Sequence, residues 1–159
     1  MATVYLLLGS NLGERDDNMK KALKLVERDC GKVIKQSHNY ETEAWGLKEQ
    51  NRFLNCAVLI ETALTPMLLL NALKHIEFEC GRTETVKWGP RIIDIDILFY
   101  DEEIIREPGL VIPHPLLQER RFTLVPLNEI AAGFIHPVFK KTIGELLEEC
   151  KDELDVKRV

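Results

Sequence analysis

Apolar positions along the chain recur in two periods, and the switches between them divide the first hundred residues into elements. Val4 to Leu8 is a continuous apolar, β-prone run that Gly9-Ser10-Asn11-Leu12-Gly13 breaks, so a buried first strand is predicted there. Met19, Ala22, Leu23, Val26 and Cys30 then fall on one helical stripe, with Asp16 and Asp17 in its first turn and Gly31 as its stop. Val33 to Tyr40 reads as a strand of imperfect alternation, and Glu41 to Arg52 as a polar loop. Phe53 to Glu61 reads as a further strand. Thr65 and Pro66 cap and open a second helix with Leu69, Ala72, Leu73, Ile76 and Cys80 on its stripe. Ile93, Ile95, Ile97 and Phe99 alternate with Asp94 and Asp96, predicting a strand whose apolar set faces a core and whose acids face away from it.

The order strand, helix, strand, strand, helix, strand is the split pattern of ferredoxin-like folds. The predicted class is therefore α+β: a βαββαβ core with a C-terminal extension, its two helices packed on one face of an antiparallel sheet. In the extension, Ile104 and Ile105 are expected to pair back. Pro108, Pro113 and Pro115 punctuate a loop, Arg121 to Pro126 reads as another strand, and Thr142 to Cys150 as a late helix. One domain over residues 1–159 is expected.

Composition narrows the chemistry. Apolar residues are 45% and charged residues 30%, an ordinary globular balance, and the formal charge of −5 disfavours a nucleic-acid partner. No apolar run approaches the ~20 residues that span a bilayer, and the start of the chain reads as a strand, not a signal peptide. Cys30, Cys56, Cys80 and Cys150 lack metal spacing. Reduced thiols in a cytoplasmic monomer that binds small molecules, without nucleic acid or membrane, are expected.

The densest chemistry lies at Trp88-Gly89-Pro90-Arg91-Ile92-Ile93-Asp94-Ile95-Asp96. Carboxylates at i and i+2 of a strand share a face about 6.5 Å apart, a separation suited to cations roughly 3.5–4 Å apart on a polyphosphate. Arg91 adds charge for phosphate, and magnesium needs only one or two protein carboxylates. The blander account of Asp94 and Asp96 is a solvated strand face, against which stands the scarcity of acids in strands. Arg82, Lys87 and Arg91 lie in and after a glycine-bounded loop that can close over a ligand. His114 is held between two prolines as a positioned donor. Phe53 and Phe122 offer aromatic faces for a flat heterocycle, and Asn55 a paired donor and acceptor for an amide-like edge. Gly9 to Gly13 has neither dinucleotide nor P-loop spacing and is expected to be a tight turn.

These residues, in order, resemble a known family. Gly9-Ser10-Asn11, Tyr40-Glu41-Thr42, Phe53-Leu54-Asn55, Glu77, Gly81-Arg82, Trp88 to Asp96, Pro113-His114 and Arg120-Arg121-Phe122 are similar to the pattern of 6-hydroxymethyl-7,8-dihydropterin pyrophosphokinases. The resemblance implies diphosphate transfer from ATP to the pterin hydroxymethyl oxygen with release of AMP, in folate biosynthesis. It implies two magnesium ions on Asp94 and Asp96, and Arg82 and Arg91 at the phosphate and transition-state site. It assigns His114 and Arg120, with Lys87, to phosphate or nucleotide contacts, and Leu70, Lys74, Glu77 and Ile97 to the adenine and ribose pocket. Thr42, Glu43, Ala44, Trp45, Phe53, Asn55 and Phe122 match the pterin pocket, with Trp88 closing over it beside Asp94. Two rivals stand beside this expectation: another magnesium-dependent nucleotidyl transferase or cyclase on the same core, and a non-catalytic ligand-binding module.

Overall fold

The computed structural model describes residues 1–43, 50–81 and 90–159. Its core runs β1 (Ala2–Ser10), α1 (Arg15–Asp29), β2 (Gly31–Gln36), β3 (Tyr40–Thr42), β4 (Phe53–Thr62), α2 (Pro66–Glu79) and β5 (Asp94–Tyr100). The extension adds the hairpin β6 (Ile105–Glu107) and β7 (Leu110–Ile112), a 3-10 turn at Leu117–Glu119, α3 (Arg121–Ala131), α4 (Ile143–Glu149) and β8 (Val156–Arg158). The main sheet is ordered β5-β1-β4-β3-β8, with β2 beside β3 along β4, and the pairings are antiparallel. This is the predicted ferredoxin-like core.

The two helices form where the stripes place them. Asp16 and Asp17 lie in the first turn of α1, and Met19, Ala22 and Val26 are buried. Thr65 Oγ1 accepts the Leu68 amide at 3.4 Å and Pro66 opens α2, which buries Leu69, Leu73 and Ile76. Both helices cover the sheet face carrying Val4, Leu6, Leu8, Cys56, Val58 and Ile60, each of them fully buried. The second face is different. Leu7, Ala57, Leu98 and Phe99 meet Leu124 and Leu127 of α3 and Ile143 of α4 at one end, and polar side chains occupy the other.

Three expectations are corrected. Val33 to Tyr40 is not one strand. The ladder on β4 slips between Val33 and Lys35, and after Gln36 the side chain of Ser37 takes over, its Oγ accepting the Ala57 amide at 2.9 Å. Arg121 to Pro126 is the start of a helix, not a strand. Leu124, Leu127 and Ala131 are buried at helical spacing, which outweighs Pro126 and the bond it denies to the Phe122 carbonyl. Phe99 does not share a face with Ile93, Ile95 and Ile97. The register with β1 shifts between Tyr5 and Leu6, leaving Leu98 as an extra residue, and Phe99 turns to the second face. There it meets Tyr5 edge-on at 6.3 Å and Phe134 at 4.6 Å between ring centroids.

The late helix is present, with a capping box between Thr142 and Glu145. Ile105 pairs with Ile112 in the β6–β7 hairpin, and Ile104 stands outside it. The four cysteines are free thiols, and burial pushes those of Cys30 and Cys56 up to about 11. Among the described residues no helix is long and apolar enough to cross a membrane.

Candidate active site

Register brings the candidate residues together. In one row across the second face, Asp94 on β5 pairs with Gly9 on β1, Gly9 with Asn55 on β4, and Asn55 with Tyr40 on β3. In the next row Asp96 pairs with Leu7, and Leu7 with Ala57. Strands lie about 4.8 Å apart, so Asp94 and Asn55 flank a gap on the order of 10 Å whose floor is Gly9. That floor must be bare: a Cβ on Gly9 would stand 2.5 Å from Asn55 Oδ1 and 3.5 Å from Phe53 Cδ1.

The β4 side of the gap is a rigid polar shelf. Asn55 and Thr42 are 3% and 1% exposed, and Asn55 Nδ2 donates to Thr42 Oγ1 at 2.9 Å, which fixes the amide's orientation. Thr42 pairs with Phe53 in register, and Phe53 is half-buried. Phe122, at the start of α3, is half-buried too, with the Arg120 guanidinium 5.4 Å from its ring centroid.

The β5 side is charged. Asp94 and Asp96 are half-buried on the same strand face, as their i, i+2 spacing requires. Arg120 is 8% exposed; burial lowers its affinity for the proton, and the Asp96 and Asp94 carboxylates oppose that shift. An arginine stays a cation even so, and it lies within electrostatic reach of the pair. His114 is tied to β5 by its amide, which donates to the Leu98 carbonyl at 3.0 Å. Burial first, then the Arg120 charge, pushes its imidazole down to about 4 against the pull of Asp94. The ring is neutral at pH 7. Its Nδ1 accepts the Leu116 amide at 3.2 Å, so the proton sits on Nε2 as a donor.

Beside Asp96 and His114 opens a cleft of about 260 Å³ walled by Leu70, Ile97, Leu110, Val111 and Pro115. Its apolar walls and small size fit one flat ring better than a whole nucleotide. The expectation for Leu70, Ile97 and His114 named part of this wall; Leu110 and Val111 were missed because the β6–β7 hairpin that carries them was not foreseen, and Pro115 was read only as punctuation of a loop. Lys74 is exposed on α2. Glu77 is buried and its Oε2 accepts the Ile95 amide at 2.8 Å. Glu43 lies just past β3, its amide 3.4 Å from the Asp155 carbonyl. Ala44, Trp45, Arg82, Lys87 and Trp88 lie outside the described residues.

Asn11 is a site residue that sequence reasoning passed over. It is 1% exposed. Its amide donates to the Arg91 carbonyl at 3.0 Å, and its Oδ1 accepts the Arg91 amide at 2.8 Å. Its Nδ2 donates to Gln50 Oε1 at 2.9 Å and to the Asn51 carbonyl at 3.0 Å. The expected break after Leu8 is corrected: β1 runs on through Gly9 and Ser10, and Asn11 follows directly on it and ties Gln50, Asn51 and Arg91 together. The burial of Asn11 was the signal, and burial is invisible in a loop sequence.

Hard carboxylate oxygens over a bare floor suit magnesium, which completes its octahedron with water and phosphate oxygens. Asp94 and Asp96 therefore fit the ion.

Comparison with known proteins agrees with this arrangement. Residues 5–132 match the family described as 7,8-dihydro-6-hydroxymethylpterin-pyrophosphokinase. A 2-amino-4-hydroxy-6-hydroxymethyldihydropteridine pyrophosphokinase of Aquifex aeolicus is 46% identical over 149 residues, covering 94% of this chain and 92% of the relative. The Bacillus subtilis protein of the same name is 45% identical, covering 79% of this chain and 76% of its own length. A folic acid synthesis protein of Dictyostelium discoideum is 44% identical over 90% of this chain, which spans only 22% of that longer protein. Among solved structures, a Plasmodium falciparum HPPK-DHPS superimposes with a TM-score of 0.79 at 20% identity, covering 93% of this chain and 45% of the other, and shows the shared fold. The chain belongs to the 7,8-dihydro-6-hydroxymethylpterin-pyrophosphokinase family.

Proposed function

We propose that the open half of the second sheet face is where this pyrophosphokinase moves a diphosphate group from ATP to the hydroxymethyl oxygen of 6-hydroxymethyl-7,8-dihydropterin. A bond forms between that oxygen and the β-phosphorus, the α,β-bridging bond breaks, and AMP leaves. The observation that carries the assignment is the juxtaposition of Asp94, Asp96, Arg120 and His114 between an apolar cleft and the Asn55 shelf.

The cleft takes the adenine ring beside Leu70 and Ile97, with Lys74 at its solvent edge. The shelf takes the pterin: Asn55 and Thr42 read its amide edge, and Phe53 and Phe122 face its ring. Glu43, Ala44, Trp45 and Trp88 complete that pocket. The acceptor oxygen then lies on the Gly9 floor beside Asp94, which receives a hydrogen bond or the proton from the alcohol. Two magnesium ions held by Asp94 and Asp96 would supply charge neutralisation of the triphosphate. Arg82, Lys87, Arg91 and Arg120 add positive charge to it, and His114 donates from Nε2. Such transfers need little covalent work from the protein, so positioning and charge carry the rate. The protein acts as a cytoplasmic monomer on small molecules, a reading supported by its acidic balance and free thiols.

Incubation with ATP, magnesium and the pterin, followed by product identification, tests the assignment. AMP and a pterin diphosphate are expected. Released pyrophosphate would instead mark a nucleotidyl transferase or cyclase, and nucleotide binding without turnover a ligand module.

A further inference from the structure

Glu77 stands where three preferences of an acidic side chain are violated at once. It is 7% exposed, it lies in the last turn of α2, and it shares that helix with the apolar residues of the main core. Buried carboxylates are costly, and the negative end of a helix dipole adds to the cost. A compensating contact is therefore required, and the Ile95 amide, 2.8 Å from Oε2, is one.

That amide is no ordinary backbone group. Among the described residues β5 is the edge strand of the main sheet and pairs only with β1. Alternate amides of an edge strand point away from the sheet and need another acceptor. Ile95 is the residue between Asp94 and Asp96, and Asp94 is the first residue of the strand, where fraying is greatest. A charged acceptor strengthens the bond.

We propose that Glu77 is a positioning residue for the acidic pair: by holding the Ile95 amide it fixes the start of β5 and hence the spacing and direction of Asp94 and Asp96. This rests on the reading of Asp94 and Asp96 as the metal-binding pair. It gives Glu77 a task distinct from lining the nucleotide pocket, and makes it comparable to the outer partners that orient metal ligands.

Two conservative variants separate the bond from the charge. Glu77→Gln keeps the reach and an acceptor oxygen. Glu77→Asp keeps the charge and loses the reach. Three quantities are measured: hydrogen exchange at the Ile95 amide, Mn2+ affinity by electron paramagnetic resonance with a nonhydrolysable ATP analogue present, and affinity for the same analogue without metal. Melting temperature confirms that each variant is folded. In Glu77→Gln, Ile95 stays protected and Mn2+ affinity stays within about twofold, whereas in Glu77→Asp protection is lost and Mn2+ binds roughly tenfold more weakly. In Glu77→Asp the metal-free analogue affinity falls by less than the Mn2+ affinity does. The proposal is overturned if Glu77→Asp exposes Ile95 without weakening Mn2+, or if the loss appears in metal-free analogue affinity instead. Wild-type protein that binds no Mn2+ beside the analogue would overturn the metal reading itself, a result distinct from either variant outcome.

Discussion

The two faces of the sheet solve opposite problems. The face under α1 and α2 is an unbroken apolar layer, with Val4, Leu6, Leu8, Cys56, Val58 and Ile60 sealed from water. The other face is apolar only at its foundation under α3 and α4. Across its open half the sheet presents Asp94, Asp96, Asn55 and Thr42, with Arg120 beside them. Strand alternation lets β1, β4 and β5 serve both faces, because consecutive side chains point to opposite faces. Apolar burial is thus concentrated on one surface, and the polar side chains of the candidate site on the other.

Substitutions on the two faces should separate accordingly. The largest effect on turnover is expected from Asp96→Asn, which removes one charge of the pair but little volume. Turnover should fall about 10²–10³-fold, as for loss of a preorganised electrostatic group, with the melting temperature little changed. Steady-state kinetics and thermal denaturation on one preparation check both halves. Near-normal turnover would remove the metal role. Leu73→Ala, on the sealed face, should do the reverse. Leu73 is 1% exposed, so its truncation should cost about 2–5 kcal/mol in urea denaturation while turnover of the folded fraction persists.

Gly9→Ala tests the boundary between the faces. The added methyl would lie 2.5 Å from Asn55 Oδ1, an overpacking of about 1–3 kcal/mol. It should appear chiefly as a raised KM for the pterin. A lowered melting temperature with unchanged KM would make Gly9 a packing residue only. The smallest expected effect is a slope. The His114 imidazole is depressed from 6.5 to about 4, so between those values the unfolded chain binds more protons than the folded one. Stability from this group is complete above pH 6.5 and declines as pH falls toward 4. Burial shifts His136 in the same direction. His114→Gln should flatten the slope of unfolding free energy between pH 4.5 and 6.5, without abolishing the share due to His136.

What the sequence disclosed follows from the same contrast. The sealed face imposes apolar runs on Val4 to Leu8 and within Phe53 to Glu61 and strict stripes on the two helices, so its elements were legible. The extension was less so. Pro126 masked the helical spacing of Leu124, Leu127 and Ala131. Val156–Arg158 is short and largely exposed, and it becomes a strand only through its pairing with β3. At the site, Asp94 and Asp96 were marked by residue type and spacing and His114 by its two flanking prolines, while the role of Arg120 came from the family resemblance. Asn11 and Glu77 were not legible as supports: the resemblance placed Glu77 in the nucleotide pocket and Asn11 in the opening motif, and only their burial and partners give them a supporting role.

The extra residue at Leu98 has a further consequence. Upstream of it, odd positions of β5 turn toward the helices and even positions toward the second face; Phe99, beyond it, joins the aromatic bed beneath α3 and α4. One strand therefore spans two frames of alternation, joined at a single step. Removing or adding one residue between Asp96 and Phe99 would invert one frame against the other, driving either the acids into oil or the phenyl ring into water. Tolerance here is governed by count before kind: many side chains can be exchanged along this segment, but its length cannot change by one.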